Sequence, residues 1–319
     1  MGKITFVPVG GLANRMRAVA SAVMLAGKTK SELSIIWFQD WALNAPFYQL
    51  FKPVDREVAC LRDASRLDYA LLDRPRSKNF HFPLLFQKLL FKSCLYERSI
   101  TPLCNRHFDF ERWVKEGGCV YMASYTAFQP YDYAWISRLF VPVDEIMGEV
   151  ENRCRNFSDA MIGVHIRRTD NLASIRQSPI ELFYQKLDEK IKENGKVAIY
   201  LATDSEEVKR EMKERYGDRI FCSGKKADRG SLEGIREGIT DMYTLARTQK
   251  IYGSFQSSFS DMAAQIGGVP LEILKLCVAE INHCFNDYLQ TFLFLLLFFL
   301  WHLPICFLFF LIAAVCSIL

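Results

Sequence analysis

Apolar and polar positions follow two alternating patterns along this chain: short β-branched runs, and longer stretches with helical spacing. The short runs predict strands at 4–9, 34–38, 119–123, 160–166, 197–202, 218–222 and 250–254. The longer stretches predict helices at 12–27, 143–157, 180–193, 205–215, 231–247 and 258–267. Strands that alternate with helices indicate parallel sheets covered by helices, so the predicted fold class is α/β.

A domain boundary is predicted near residue 141. Pro142 follows an aromatic-rich stretch there, and Asp144 can begin a new helix. The chain before the final segment is long enough for two domains of ordinary size. We therefore expect one domain over 1–141 and a second over 142–284.

The segment 288–319 has no charged side chain and is dominated by Phe, Leu and Ile. It exceeds the roughly 20 residues that a helix needs to cross a bilayer, and it therefore predicts a hydrophobic C-terminal helix that anchors the protein in a membrane. Because His302 and Pro304 interrupt the segment, a kinked span or a re-entrant hairpin is also open. Two alternatives are a buried helix of a globular protein and a coding artefact, since a frameshift into T-rich DNA also yields Phe and Leu.

Composition argues against two classes of function, nucleic-acid binding and metal binding, and indicates a cellular compartment. The net charge of +4 is small, and Lys and Arg are scattered among acids, which argues against nucleic acid as a partner. The ten cysteines form no Cys-x-x-Cys pair and share no zinc-like spacing with histidines, so we expect no metal. The N-terminus has no cleavable apolar segment, so we expect the catalytic part in the cytosol, with its cysteines as free thiols. The protein is then membrane-associated if the tail is a genuine anchor, and cytoplasmic if the tail is an artefact.

Candidate chemistry is concentrated at 163–170, where a β-branched strand ends in Arg167 and Arg168, flanked by His165 and Asp170. Arginine presents a planar fork of donors and keeps its charge at any working pH. A pair at a strand's end can therefore neutralise a diphosphate leaving group as its bond breaks. The alternative is a surface ion-pair cluster.

Three further segments fit the same chemistry. A glycine turn with Gly11, Asn14 and Arg15 follows the first predicted strand and opens a helix. A buried-strand pattern stops at Thr203-Asp204-Ser205, where Asp204 or Ser205 can cap the next helix. A third segment runs from Asp241 to a Gly-Ser-Phe-Gln-Ser-Ser turn at 253–258.

In motif and order these segments resemble the fucosyltransferases that include the rhizobial nodulation enzyme and the α1,6 core fucosyltransferase, with α1,2 and protein O-fucosyltransferases as more distant relatives. The shared motifs are His-x-Arg-Arg-Thr-Asp at 165–170, Leu-Ala-Thr-Asp at 201–204, and an acid leading into Gly-x-Phe-x-Ser, here Asp241 to Ser257. The likeness covers residues 1 to about 280 and is densest from about 160 onward. It implies a GT-B-like fold, with two Rossmann-like domains facing a cleft, and an inverting transfer of L-fucose from GDP-fucose without a metal or other cofactor.

The resemblance also implies roles for individual residues. Arg167 is favoured as the phosphate ligand, and Arg168 and Asp170 are the other predicted catalytic residues. If only one arginine of the pair binds the phosphate, the other can hold the strand end through Asp170. Asp241 is expected to bind guanine, because a carboxylate can accept from both N1–H and the exocyclic amine; otherwise it is a solvated charge or a cap. The remaining predicted donor contacts lie at the two strand ends and the two turns, and they are His165, Asp204, Ser257, Ser258, Gly11, Asn14 and Arg15.

Two of these roles have plain structural alternatives. His165 can contact ribose or base, but a lone histidine on an apolar strand is otherwise a satisfied core residue. Ser257 and Ser258 can hold phosphate at a helix N-terminus, or they can simply cap that helix.

The general base is not assigned by the sequence. The α1,6 core enzymes continue after the arginine motif with a lysine and then a glutamate proposed as base, whereas this chain has Asn171 and a loop, 172–177, that contains no acid. Asp170, Asp204 and Glu181 are candidates, although Glu181 follows Pro179 and can serve only to favour a helix N-terminus.

The sequence thus predicts a fucosyltransferase that acts on a hydroxyl of a glycan acceptor, with α1,6 or α1,2 linkage. The alternatives are a glycosyltransferase that uses another nucleotide sugar and a membrane-anchored pseudoenzyme that binds nucleotide without turnover. A hydride-transfer enzyme is disfavoured because the first turn lacks Gly-x-Gly-x-x-Gly.

Overall fold

The computed structural model describes residues 2–74, 82–169, 171–225, 228 and 230–276. Met1–Leu274 form one compact unit. Its strands are β1 Lys3–Pro8, β2 Glu32–Trp37, β3 Cys60–Asp63, β4 Ser93–Leu95, β5 Cys119–Ser124, β6 Met161–Ile166, β7 Ala198–Thr203, β8 Ile220–Cys222, β9 Ile251–Ser254 and β10 Leu271–Leu274. Its α-helices are α1 Leu12–Thr29, α2 Arg66–Leu71, α3 Phe82–Leu90, α4 Glu97–Asn105, α5 Phe110–Gly117, α6 Ala134–Leu139, α7 Asp144–Cys154, α8 Leu172–Gln177, α9 Ile180–Glu193, α10 Glu206–Tyr216, α11 Leu232–Leu245 and α12 Ser258–Gly267.

The strands form two five-stranded sheets in which every pair of neighbours is parallel. The first sheet has the order β3-β2-β1-β5-β4 and the second β10-β9-β6-β7-β8. In each sheet the chain order reverses beside a central strand, next to β1 in the first and next to β6 in the second. Ligands of open α/β sheets bind at the carboxyl ends of strands at such a reversal. Both motifs predicted to bind the donor follow these two strands directly.

The α/β class with parallel sheets, predicted from the alternation, is confirmed. All seven predicted strands and six predicted helices are present, with ends shifted by at most three residues. The predicted boundary near residue 141 lies between β5 and β6.

The pattern missed β3, β4 and β10 and several helices, mainly between residues 60 and 117. These strands are three or four residues long and only partly buried, so they carry little alternation to detect. The segment 172–177, expected as a loop, is instead the short helix α8. Its N-cap is Asn171, whose side chain accepts a hydrogen bond from Ser174 N.

Burial explains why the central elements form. α1 is buried on several sides and carries small residues there, including Ala18, Ala20 and Ala22, which lets neighbouring elements pack close to the helix. The Tyr243 hydroxyl on α11 donates to the Phe140 carbonyl. This bond fixes the segment that connects the two sheets to a helix of the second sheet. A continuous apolar core includes residues from both sheets.

The predicted membrane anchor, 288–319, lies outside the described residues. Within the part of the chain that the structure describes, no helix combines the length and apolar character needed to cross a membrane.

Candidate functional site

A cleft with a volume of about 980 Å³ opens at the carboxyl ends of the strands and is lined from both sheets. Gly11, Asn14 and Arg17 line it from the turn after β1 and from α1. The facing wall comes from the segments after β6, β7 and β9, and its lining includes Arg167, Thr169, Asp204, Ser257, Ser258 and Asp261.

The turn after β1 is shaped by a glycine. Gly10 has φ of +83°, a conformation that L side chains adopt rarely. A Cβ there would also lie 3.4 Å from Asn14 Nδ2 and 3.5 Å from Tyr125 Cβ. Gly11 then begins α1 as its N-cap, and the predicted residues Gly11 and Asn14 both line the cleft.

The expectation that Arg15 faces the cleft is wrong. Its side chain is completely buried, donates from Nε to the Gly10 carbonyl at 2.8 Å, and pairs with Asp40 at 2.9 Å. Because Asp40 also accepts from Ala42 N and Leu43 N, Arg15 connects the glycine turn to the turn after β2. Its role is to hold these two loops in place.

The arginine that does line the cleft from this side is Arg17. It lies three residues after Asn14, and side chains at i and i+3 share one face of a helix. Helical spacing from Asn14 was therefore a signal that could have identified it.

Arg167 begins the segment after β6 and lines the opposite wall of the cleft. Its backbone N–H donates to Ser254 Oγ at 3.1 Å, which connects it to the end of β9. Its Nε lies 3.2 Å from Asp204 Oδ2. The guanidinium is thus oriented by a carboxylate from the end of β7 while it borders the cavity.

Asp204 borders the cleft, but both of its carboxylate oxygens already accept hydrogen bonds from the protein. Oδ1 accepts from Arg168 N at 2.7 Å, and Oδ2 accepts from Thr169 Oγ1 at 2.6 Å, in addition to its contact with Arg167. These bonds make Asp204 the residue that shapes the strand end after β6. A general-base role is a poor fit for a carboxylate with this many donors around it.

Arg168 does not line the cleft, and its side chain has the structural role that the sequence left open for one arginine of the pair. Its Nη1 donates to the Arg167 carbonyl at 3.1 Å and its Nη2 to the Ser178 carbonyl at 2.9 Å. The two arginines are therefore divided between a site role and a structural one. The third predicted catalytic residue, Asp170, lies outside the described residues.

His165 lies beneath the cleft and not in it. It is 4 % exposed, its ring stacks on Phe259 with centroids 4.6 Å apart, and its Nδ1 lies 3.3 Å from Ser257 Oγ. Burial, with the nearby charge of Arg167, lowers the pKa of His165 to about 3, so the imidazole is neutral at ordinary pH. The core alternative describes His165 best: it supports Phe259 and Ser257, both of which line the cavity.

Ser257 and Ser258 form the start of α12 at the cleft. The Ser257 side chain makes no capping hydrogen bond to the helix and is instead directed towards His165. The first N–H groups of α12 therefore have no partner from the cap side chain. Helix N-termini of this kind bind anions through N–H groups and the helix dipole.

The prediction that Asp241 binds guanine is not supported by its position. Asp241 is 5 % exposed, does not line the cleft, and accepts from the Tyr200 hydroxyl at 2.7 Å and from Arg153 Nη1 at 2.9 Å. Arg153 also pairs with Glu237 at 2.8 Å. Burial raises the pKa of Asp241 to about 6 although Tyr200 and Arg153 oppose the shift. The acid of the third motif thus belongs to a buried polar cluster between α7, β7 and α11.

Several cleft residues were not among the predicted ones. Besides Arg17 they include Asn171, Asp228, Gln256, Phe259 and Asp261. Most follow the motifs by only a few residues, and nothing but the folded backbone shows which of them face the cavity.

The described residues contain no group of three or more His, Cys, Asp or Glu side chains arranged to hold a metal ion. Whether the reaction needs a metal stays a prediction from the sequence.

No family model matches the chain, and no curated protein matches it in sequence. Solved structures do match its fold. NodZ α1,6-fucosyltransferase co-crystallised with GDP is 20 % identical with a TM-score of 0.56, and the match covers 82 % of this chain and 91 % of that one. Fucosyltransferase NodZ from Bradyrhizobium is 21 % identical with a TM-score of 0.58, over 82 % and 91 % of the two chains. POFUT1 in complex with GDP-fucose is 12 % identical with a TM-score of 0.53, over 86 % and 98 %.

These matches show that the chain has a fucosyltransferase-type fold. The resemblance drawn from the three sequence motifs is confirmed at the level of that fold.

Proposed function

We propose that this protein is a glycosyltransferase that moves L-fucose from GDP-fucose to a hydroxyl of a glycan acceptor, with inversion. The observation that carries the proposal is the convergence of Arg167 and the N-terminus of α12 on one cleft. A fixed cation and a helix N-terminus together suit a diphosphate. The fold supports the same function, because NodZ and POFUT1 share it and have been crystallised with GDP or GDP-fucose.

The chemistry follows from charge. When the bond from sugar to diphosphate breaks, the sugar becomes oxocarbenium-like and positive while the β-phosphate becomes negative. Arg167, oriented by Asp204, neutralises the leaving group, and the N–H groups of α12 bind its oxygens. Asn14 approaches from the opposite wall and suits contact with the sugar or the phosphate.

The proposed preference of the protein for a guanine nucleotide rests on the fold resemblance, because Asp241 already bonds Tyr200 and Arg153. A different nucleotide sugar on the same scaffold is therefore the main alternative, and competition between GDP and UDP discriminates the two. The α1,6 or α1,2 linkage is likewise a part of the proposal that depends on the family resemblance.

An acceptor platform is offered by Trp41. Its side chain is 79 % exposed, and it directly precedes Ala42 and Leu43, which line the cleft. The turn that carries it is fixed by the bonds from Ala42 N and Leu43 N to Asp40. A large exposed ring on a fixed turn suits stacking against a sugar, because its face is apolar and its N–H can bond a hydroxyl.

Membrane attachment through 288–319 belongs to the proposal as well. Its support is the run of uncharged, mostly apolar residues, which is longer than a bilayer-spanning helix requires. A cytosolic catalytic face beside a membrane would suit acceptors on that surface.

The test is release of GDP from GDP-fucose by the full chain in the presence of EDTA, with GDP-mannose and UDP-sugars as competing donors. We expect metal-independent release that is specific for GDP-fucose and falls about 10²–10³-fold in Arg167→Ala, the loss typical of a removed electrostatic donor. Arg210→Ala is the matched control, since Arg210 is a largely exposed arginine on α10.

Tight GDP binding without release, even when a glycan library is supplied, would favour the pseudoenzyme. Equal competition by UDP and GDP would overturn the choice of donor.

A further inference from the structure

We propose that Asp261 is the general base of the transfer, accepting the proton of the acceptor hydroxyl as that oxygen attacks the anomeric carbon. This inference rests on the proposed function and names the residue that the sequence left unassigned. It is argued from the three carboxylates that line the cleft among the described residues, Asp204, Asp228 and Asp261.

The carboxylates of Asp204 and Asp228 hold the protein backbone around them in place. Asp204 receives donors from Arg167, Arg168 and Thr169, as described above. Asp228 accepts from Gly230 N at 2.9 Å and shapes the turn that leads into α11. Asp261 contacts one cation, with its Oδ2 3.9 Å from Arg17 Nη2, and its side chain is 44 % exposed towards the cleft.

Asp261 also has the right place along α12. It lies in the fourth position of the helix whose first residue is Ser258, about one turn or 5 Å from the N-terminus that suits phosphate. In an inverting displacement the nucleophile and the leaving group occupy opposite sides of the anomeric carbon. A base must therefore lie about the width of a sugar ring from the phosphate site.

The opposite wall supplies a complementary group. Arg17 Nη2 is inaccessible to solvent and makes no hydrogen bond within the protein. It approaches Asp261 from α1, so the two side chains bring the two walls of the cleft together at one point. The guanidinium of Arg17 also lines the cleft, so its positive charge can stabilise the acceptor oxygen while the hydroxyl donates its proton to Asp261.

Electrostatics agrees with this geometry. Burial raises the pKa of Asp261, and Arg17 opposes that rise. Among the described residues Tyr131 also interacts with this carboxyl; its hydroxyl donates to Gln265 Oε1 at 3.0 Å, and burial raises its own pKa. A carboxylate made more basic in this way is a better proton acceptor.

The step balances without another reactant. The O–H bond of the acceptor gives its proton to Asp261, and the oxygen forms a bond with the anomeric carbon. The bond from that carbon to the diphosphate breaks, and its electron pair leaves on the phosphate oxygen that Arg167 neutralises. The proton then passes from Asp261 to solvent.

The experiment uses the full chain with GDP-fucose as donor and either water or azide as acceptor. Asp261→Asn and Asp261→Ala should bind GDP within about threefold of the wild type, while the rate of GDP release to water falls by about 10²–10⁴-fold. Azide is an anionic nucleophile that needs no base, so it should raise the rate of Asp261→Ala at least about tenfold and yield fucosyl azide of inverted configuration. Arg167→Ala should show no such rescue, and Asp144→Asn, an exposed aspartate on α7, should behave as wild type.

The pH profile gives a second readout. The rate in the wild type should fall at low pH as the base is protonated, and the fall should be absent in Asp261→Asn. Arg17→Gln removes the cation that lowers the pKa of Asp261, so the acid limb should move to higher pH. A carboxylate with a merely structural role would give no shift.

Retention of more than half of the wild-type rate in Asp261→Asn would overturn the assignment. Loss of rate without azide rescue, or with a matching loss of GDP affinity, would also overturn it, because either result describes a structural residue. These outcomes differ from failure of the proposed function, in which the wild type itself neither binds GDP selectively nor releases it from GDP-fucose.

Discussion

The Tyr200 hydroxyl donates a 2.7 Å hydrogen bond to Asp241 Oδ1, and this bond joins β7 to α11. Arg153 completes the cluster from α7 through a 2.9 Å contact with the same oxygen. Asp241 was the acid that the sequence assigned to the nucleotide base. In the folded chain this carboxylate bonds Tyr200 and Arg153 and not a nucleotide.

Loss of Asp241 should therefore reduce stability more than it reduces nucleotide binding. Asp241→Ala removes the acceptor of the buried Tyr200 hydroxyl and one of the acceptors of Arg153, which keeps its pair with Glu237, and should lower the free energy of unfolding by about 1–3 kcal/mol. Tyr200→Phe leaves the ion pair intact and should lower it by about 1 kcal/mol. Urea unfolding measures both changes, and GDP affinity of the folded variants should stay within about twofold of wild type. A large loss of GDP affinity in a variant of normal stability would restore the guanine role.

Much of the fold could be predicted because its signals are local. β6 and β7 are fully or almost fully buried strands of β-branched and apolar residues, and α9 was predicted with its observed ends, 180–193. The resemblance added the cleft between two sheets. These inferences required only the period of the pattern and the order of the motifs.

The direction of each site side chain could not be predicted in the same way. Arg15 and Arg17 are two residues apart on α1, so they point to different faces of the helix, and only the packing of α1 decides which one meets the cleft. Arg167 and Arg168 divide in a similar manner at the end of β6. Asp261 comes close to Arg17 only because the two walls meet in space.

His165 should weaken the fold in acid. Its folded pKa of about 3 lies below the ordinary value of 6.5. Its contribution to stability is therefore complete above about pH 6.5 and is lost as the pH falls towards 3, because the unfolded state takes up the proton first. Relative to the non-titrating His165→Asn, the wild type should lose about 2 kcal/mol of unfolding free energy between pH 7 and pH 5. Urea unfolding of both proteins at the two pH values gives this difference, and a pH-independent difference would contradict the neutral imidazole.

Asp204 should act through Arg167. Asp204→Asn removes the charge that lies 3.2 Å from Arg167 Nε and weakens the acceptor of the Thr169 hydroxyl. We expect GDP release to slow about 10–100-fold, the range typical of a lost positioning partner. Combined with Arg167→Ala, the same change should slow the reaction little further, because residues that act as a unit are not additive. Full additivity of the two losses in this double-mutant cycle would instead give Asp204 a role of its own.

Removal of residues 277–319 should leave the fold and the site intact. The compact unit Met1–Leu274 contains both sheets, the apolar core and all the described cleft residues, so its urea midpoint and its GDP affinity should match those of the full chain. The apolar segment 288–319 should then account for any attachment to lipid. In a flotation assay with phospholipid vesicles, the full chain should rise with the lipid and the shortened chain should stay in the soluble fraction. A shortened chain that aggregates or loses GDP binding would show that the segment belongs to the globular core, and a full chain that ignores the vesicles would show that it is no anchor.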